Sequence, residues 1–354
     1  MKIIINGLFL SQKITGVQRY AIEMSRELHR LFPEQIKFVA PKDIIHKDIA
    51  KELDVEIIGN FTGCLWEQVD LPVYLSKIGN PILLSMRNTA PLFYKKNIIV
   101  LHDLIFMKNK NWFSKKFRYL YWICALILYK NALKIVTVSE FSKRDIVNAF
   151  EINPNKILIA SNAVSKGFRK YRDESFENKR GDFILSVASL LSPRKNIESV
   201  IKAFNRVENK RLKLVIVGTE VENFSDMFVL DEAKKNEKII ITGYITDEEL
   251  SELYKNAKLL VFPSFYEGFG MPPLEAMYFG CPVIASNLTS LPEICKDAAF
   301  YVNPYNIDDI ASAMEKILNN KDLRNSLIAK GYKRQAEFSW EKSAKHLMKA
   351  MKNI

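Results

Sequence analysis

Residues 259–275 read LLVFPSFYEGFGMPPLE. An apolar run with the character of a buried strand enters a glycine-bearing loop and then, at Pro272-Pro273, a helix. Proline is favoured in a helix's first turn, and Gly268 and Gly270 let backbone amides approach a ligand closely. Those amides and the helix N-terminus favour an anion or a ring of hydroxyls. Glu267 and Glu275 bracket the turn with seven residues between them. One is expected at the loop mouth and the other in the first helical turn, both facing one cleft at the two ends of an extended ligand. A carboxylate there suits a ribose diol; the bland alternative is that Glu275 stabilises the helix dipole and Glu267 is solvated. Gly268-x-Gly270 lacks the third glycine of a dinucleotide fingerprint, which disfavours NAD.

Outward from this stretch, short β-rich runs alternate with amphipathic ones. Strands are expected at Ile3–Asn6, Lys37–Ala40, Val55–Ile58, Ile82–Ser85, Ile98–His102, Ile135–Ser139 and Ile157–Ala160, then at Phe183–Ala188, Leu212–Gly218, Ile239–Thr242, Leu259–Pro263, Pro282–Ala285 and Phe300–Val302. Several are continuous apolar runs, as in parallel strands buried on both faces. Val17, Tyr20, Ala21, Met24, Leu28 and Leu31 recur at helical spacing, giving a helix over Gly16 to Phe32. Thr246 and Glu249 form a capping box opening Asp247–Asn256. Such alternation implies an α/β fold of doubly wound parallel sheets, and the pattern occurs twice. The expected domains are residues 1–168, with a helix at about 340–354 crossing back, and residues 169–339, joined through the polar stretch Lys166–Arg180.

The chain has 354 residues, 48% of them hydrophobic, ample for two cores, which excludes disorder as the main state. Cys64, Cys124, Cys281 and Cys295 have no C-x-x-C spacing, so neither a zinc site nor a disulfide scaffold is expected. The net charge of +12 is uneven: residues 1–172 hold 27 Lys and Arg against 14 Asp and Glu, and the remainder 25 against 26. The excess points to a localised anionic partner. The most apolar helical candidate, Tyr119 to Tyr129, has 11 residues where a membrane span needs about 20. Ile3–Ile5 opens no signal peptide, so the protein is expected to begin at Met1 and stay in the cytoplasm.

The 259–275 segment resembles the Glu-x7-Glu motif of retaining glycosyltransferase family 4, of GT-B fold. Its flanks ITGYITDEELSELYKNAKLLVFPS (241–264) and EAMYFGCPVIASNLTSLPEI (275–294) resemble the family too, as do TVSEFSKRDIV (137–147), FILSVASLLSPRKNIESVIKAF (183–204) and TGVQRYAIEMSREL (15–28). The resemblance covers nearly the whole chain. It implies two Rossmann-like domains facing across a cleft, the first binding acceptor and the second a nucleotide-sugar donor. Glu275 would hold the donor ribose. Glu267 would sit near the donor sugar, with the backbone of Gly268, Phe269, Gly270 and Met271 around its hydroxyls and phosphate. Arg194 and Lys195 match a pair that neutralises the diphosphate, and Gly243 and Tyr244 fall in a flanking donor segment. Fixed cations in a dry cleft stabilise the charge that a departing nucleoside diphosphate gains. Gly16-Val17 matches a loop that approaches the diphosphate at a helix N-terminus. His102, beside Asp103 at the rim, matches a histidine that contacts the donor sugar in mannosyltransferase-like members. Asp103 would orient the imidazole or accept an acceptor hydroxyl. The segment from Phe338-Ser339-Trp340 resembles the family's closing helix. Ala188 and Asn162-Ala163 depart from the family's usual glycines, and Met271 from its usual Leu.

No D-x-D motif occurs, so no metal or other cofactor is expected. Residues 95–134 carry nine Lys or Arg and one acid, Asp103, interleaved with Phe106, Trp112, Phe113, Phe117, Tyr119, Tyr121 and Trp122. That mixture suits an anionic bilayer, and also single-stranded nucleic acid, with a core helix bearing a solvated lysine face as the plain alternative. The expectation is peripheral attachment to the inner face of the cytoplasmic membrane, without nucleic acid. The expected function is retaining, metal-independent transfer of a hexose from a nucleotide-diphosphate sugar to a glycan or polyprenyl-diphosphate-linked saccharide of surface polysaccharide such as O-antigen or capsule. GDP-mannose is favoured over UDP- or dTDP-sugars. The rivals are a GT-B epimerase or phosphorylase, and a non-catalytic nucleotide-sugar-binding subunit.

Overall fold

The computed structural model describes residues 2–108, 115–172, 180–190, 192–209, 211–219 and 236–353. Residues 173–179 of the expected linker lie outside the described residues, as do Lys110, Trp112 and Phe113, and so do the side chains of Phe106, Lys108, Lys115, Lys116, Phe117, Arg118 and Tyr121. The chain divides into two compact units, Met1–Asn162 with Ser339–Ile354, and Ala163–Phe338.

In the first unit the described strands are β1 (Ile3–Asn6), β2 (Ile36–Ala40), β3 (Glu56–Ile57), β4 (Ile82–Ser85), β5 (Asn97–Val100), β6 (Lys134–Thr137) and β7 (Ile157–Ile159). They form one parallel sheet in the order β3-β2-β1-β4-β5-β6-β7. Every residue of β1, β4 and β5 is buried, which is why these segments read as unbroken apolar runs. The second unit holds β8 (Phe183–Leu190), β9 (Lys213–Thr219), β10 (Ile239–Ile241), β11 (Leu260–Phe262), β12 (Val283–Ser286) and β13 (Phe300–Val302), parallel in the order β10-β9-β8-β11-β12-β13. Each sheet therefore reverses its winding once, at β1/β4 and at β8/β11. The carboxyl ends of the strands at such a reversal are where open α/β sheets bind ligands.

The helices that matter below are α1 (Gly16–Leu31), α2 (Lys115–Asn131), α3 (Glu140–Phe150), α4 (Ile197–Phe204), α5 (Asp247–Asn256), α6 (Met271–Tyr278) and α7 (Trp340–Lys352). Thr15 caps α1 through a capping box with Gln18, and Tyr20, Ala21, Met24 and Leu28 form its buried stripe. Thr246 and Glu249 form the expected box at α5. In α2, Ala125, Leu128 and Tyr129 pack with Ile99, Leu101, Ile135, Ile146 and Phe150, while Tyr119 and Trp122 are exposed. The aromatic stripe of residues 95–134 is thus split between core and surface.

The units part at Asn162/Ala163 and Phe338/Ser339, whereas the sequence suggested 168/169 for the first break. The reason is Phe168, buried on a short helix (Lys166–Arg169) with its ring edge-on to Phe279 at 5.6 Å and to Tyr254 at 6.5 Å. Burying that ring ties the polar segment to the second unit. Helix α7 belongs to the first unit: Trp340 packs on Tyr20 at 5.5 Å, and Ser343 Oγ donates to Ser161 O at 2.8 Å. No described helix is long and apolar enough to cross a membrane.

Candidate active site

The carboxyl ends of β8 and β11 bring Arg194, Lys195 and Glu267 together. After β8 the chain makes a short turn over Pro193–Lys195 and enters α4 through Asn196, which adopts a left-handed φ of 58°. Asn196 tolerates that conformation, and its buried amide donates to Pro263 O at 3.1 Å and Pro304 O at 2.7 Å. Phe265 N donates to Arg194 O at 2.9 Å, so the turn after β8 is stitched to the loop after β11. The result is a clasp: Lys195 Nζ stands 2.6 Å from Glu267 Oε1, and Arg194 Nη1 stands 3.2 Å from Oε2. Lys195 and Glu267 are buried, while the Arg194 side chain keeps 26% of its surface exposed. Burial alone would raise the Glu267 carboxyl. The charges of Lys195 and Arg194 and the Lys195 hydrogen bond outweigh it, holding the group below the ordinary carboxylate value.

The loop from Glu267 to Gly270 is pinned from the next turn. Glu267 N donates to Thr289 Oγ1 at 3.2 Å, and Ser290 Oγ donates to Glu267 O and Phe269 O, each at 2.9 Å. Gly270 precedes α6 with φ 102°, so the backbone demands glycine, and a Cβ there would also have to displace the tip of Leu291, whose Cδ2 it would meet at 2.5 Å. Pro272 and Pro273 offer no N–H. The amides at this helix end are therefore those of Phe269, Gly270 and Met271. Phe269 is buried edge-on to Phe338 at 5.4 Å. Glu275 is buried and accepts from Tyr254 OH at 2.9 Å. It is the fifth residue of α6, in the second turn and not the first as the sequence suggested, because the helix already opens at Met271. Gly243 has φ 71° and its carbonyl accepts from Gly218 N at 3.2 Å; a Cβ on Gly243 would meet nothing, and Tyr244 is 78% exposed.

In the first unit, Gly16 is the first residue of α1, with nothing near the position of a Cβ, and Val17 is half-buried. His102 lies beyond β5, buried, with its ring edge-on to Tyr20 at 4.9 Å. Its Nε2 lies 3.2 Å from Met86 O, and since a carbonyl only accepts, Nε2 carries the hydrogen. Burial outweighs that bond and lowers the imidazole pKa to about 4, so His102 is neutral near pH 7 and has no proton to give as an imidazolium. Asp103 Oδ1 accepts from Ile105 N at 3.1 Å, closing the next turn. The sequence reading missed Asn196, Tyr254, Thr289 and Ser290. The asparagine just before an apolar helix was a visible cap signal; nothing in the sequence marked Tyr254.

Two doubly wound parallel-sheet units of this kind define a GT-B-type fold, and at the sheet reversal of the second unit two cations clasp one carboxylate. Residues 167–334 match the family model described as glycosyl transferases group 1. The O-antigen chain mannosyltransferase RfbU of Salmonella typhimurium is 31% identical over 258 residues, which span 72% of this chain and 69% of RfbU. The serotype-specific mannosyltransferase WbdA of Escherichia coli is 34% identical over 267 residues, 70% of this chain but only 32% of WbdA. Among solved structures, Anabaena HepE in complex with UDP and glucose superposes with a TM-score of 0.79 at 16% identity over all of both chains. WaaG, a glycosyltransferase involved in lipopolysaccharide biosynthesis, gives 0.72 at 13% identity over 99% of each chain. The two structures speak to the fold alone. The chain belongs to the glycosyl transferase group 1 family.

Proposed function

We propose that the protein is a glycosyltransferase that moves mannose from a GDP-mannose-type donor to a saccharide of surface polysaccharide, with retention of configuration and without a metal. The observation that carries the reading is the Arg194–Glu267–Lys195 clasp. Two cations against one carboxylate leave a positive excess where a diphosphate would gain charge as the glycosidic bond breaks. Arg194, the partly exposed member, is the group suited to engage that diphosphate, with the amides of Phe269 to Met271 beside it. Glu275 would take the ribose diol, oriented by Tyr254. Glu267, bound by two cations, is a poor nucleophile, which favours attack of the acceptor hydroxyl on the face that the diphosphate leaves. His102, neutral, would act as a hydrogen-bonding partner of the donor sugar, beside Asp103. The choice of mannose rests on the likeness to RfbU and WbdA.

A melting-temperature panel with GDP, UDP and dTDP tests the donor. A nucleotide at ~100 times its Kd adds about 2.7 kcal/mol to stability. GDP should give the largest shift, Glu275→Ala should abolish it, and turnover should fall with it. Unchanged turnover in Glu275→Ala would falsify the donor-site assignment.

We further propose that the protein is cytoplasmic and rests on an anionic membrane through residues 95–134, where Lys95, Lys96, Tyr119 and Trp122 are exposed. Anionic vesicles at low salt should sediment it and neutral ones should not; equal recovery with both counts against attachment.

A further inference from the structure

Thr289, in the loop after β12, stands in a backbone conformation that its own side chain resists. Its φ is 60°, and of the six non-glycine residues with positive φ among the described residues it alone is β-branched. Asparagine and aspartate reach the left-handed region readily and glycine freely, whereas a side chain branched at Cβ does not. Such strain persists only where the surroundings over-determine it. On one side, Asn287 N donates to Val302 O at 3.0 Å and Leu288 N to Ser286 Oγ at 3.2 Å. On the other, Ser290 is fully buried, and Ile294 N donates to its carbonyl at 2.9 Å as the short helix Leu291–Cys295 begins.

What threonine offers at this position and glycine does not is an oxygen, and Thr289 Oγ1 accepts from Glu267 N at 3.2 Å. The next side chain holds the other polar group of the same residue, since Ser290 Oγ donates to Glu267 O at 2.9 Å. Two consecutive hydroxyls thus frame the backbone of Glu267, whose carboxylate lies between Lys195 at 2.6 Å and Arg194 at 3.2 Å. The residue that follows, Gly268, imposes no backbone preference of its own, so the frame has to come from elsewhere. Satisfying the amide does not by itself require threonine. Thr289 is half-buried, and the space its side chain vacates in a glycine variant is open to water, which can take over the amide. We propose that Thr289 is a positioning residue for transfer: its strained backbone aims the hydroxyl at Glu267 N and so fixes the carboxylate between its two cations. This rests on the glycosyl-transfer reading and adds to it a residue that acts only through Glu267.

Three variants of the full chain separate the oxygen from the branch: Thr289→Ser keeps the oxygen, Thr289→Val keeps the branch, and Thr289→Gly keeps neither. GDP release from GDP-mannose, melting temperature and hydrogen exchange at the Glu267 amide are measured on each. In Thr289→Gly and Thr289→Val, kcat should fall about 10- to 100-fold, as a misplaced group demands. The KM for GDP-mannose should stay within about threefold, since the donor is held by other groups. Exchange at the Glu267 amide should quicken by at least about tenfold. Thr289→Ser should restore both rate and protection. Melting temperature should follow the branch instead: unchanged or raised in Thr289→Gly, where strain is relieved, and lowered in Thr289→Val. A merely structural threonine would lose stability and rate together in Thr289→Gly. That result, wild-type kcat or amide protection in Thr289→Gly, or a loss in Thr289→Ser equal to that in Thr289→Gly overturns the proposal. The Gly and Ser variants decide it even if Thr289→Val does not fold. If the wild type releases no GDP from GDP-mannose, the donor reading fails, and exchange at Glu267 alone decides whether Thr289 holds it.

Discussion

At β8/β11 a buried glutamate, Glu267, is held below its ordinary pKa; at β1/β4 another buried glutamate, Glu67, is pushed above it. The topology around them is the same, a reversal of winding in a parallel sheet, and so is the degree of burial. The difference lies in the cations. Glu267 has two within ion-pairing distance, at 2.6 and 3.2 Å, whereas Glu67 has Arg87 acting through charge and the neutral hydrogen-bond donors Asn6, Thr89 and Gln68. Desolvation wins where donors are neutral and loses where charges touch. One sheet reversal thus surrounds its glutamate with touching cations and the other with neutral donors.

The largest effect expected from this contrast is at Lys195. Lys195→Met strips Glu267 of its closest cation and should destabilise the protein by about 3–5 kcal/mol in urea unfolding, less whatever Arg194 compensates. Transfer should slow by about 10²- to 10³-fold. If stability and rate both hold, the clasp is ornamental and the contrast between the two sites collapses.

Acid separates the regions next. His102 binds fewer protons folded than unfolded between pH 6.5 and about 4, so its contribution is complete above pH 6.5 and drains away as pH falls towards 4. The slope is at most about 1.4 kcal/mol per pH unit, and His102→Asn should flatten it. Glu267, with a lowered pKa, keeps its contribution until pH drops below its ordinary value of 4.5. Unfolding measured from pH 8 to 4 should show the histidine's loss first; a curve that is flat down to pH 5 in the wild type would remove the neutral buried His102 from the picture.

The smallest effect is at Arg87. Since Nη1 already lacks a partner, Arg87→Met should change stability by less than about 1 kcal/mol, in contrast to Lys195→Met. A loss as large as that of Lys195→Met would mean that the two glutamates depend on their cations alike.

Much of this was legible beforehand. All thirteen described strands fall where alternating apolar runs placed them, because buried parallel strands leave a signature along the chain. Arg194, Lys195 and Glu267 were singled out as SPRKN after one strand and a glutamate after another, but their ion pairing was not: the pairing depends on β8 and β11 being neighbours in space across 72 residues of sequence. Glu275 was placed one turn early because Pro272-Pro273 looked like the start of α6, which opens at Met271. Glu67 and Arg87 escaped notice altogether. Each is a lone charged residue in an unremarkable context, and only the folded sheet brings Glu67 to Asn6 and Thr89.

The second unit is one uninterrupted stretch, Ala163–Phe338, set inside the first. During synthesis the first unit is therefore the last to have its whole sequence available. Its opening helix leaves the ribosome early, yet the indole of Trp340 that covers Tyr20, which in turn covers His102, emerges only after the whole of the other unit has been made. The half of the molecule translated first is also the half whose closing helix is translated last.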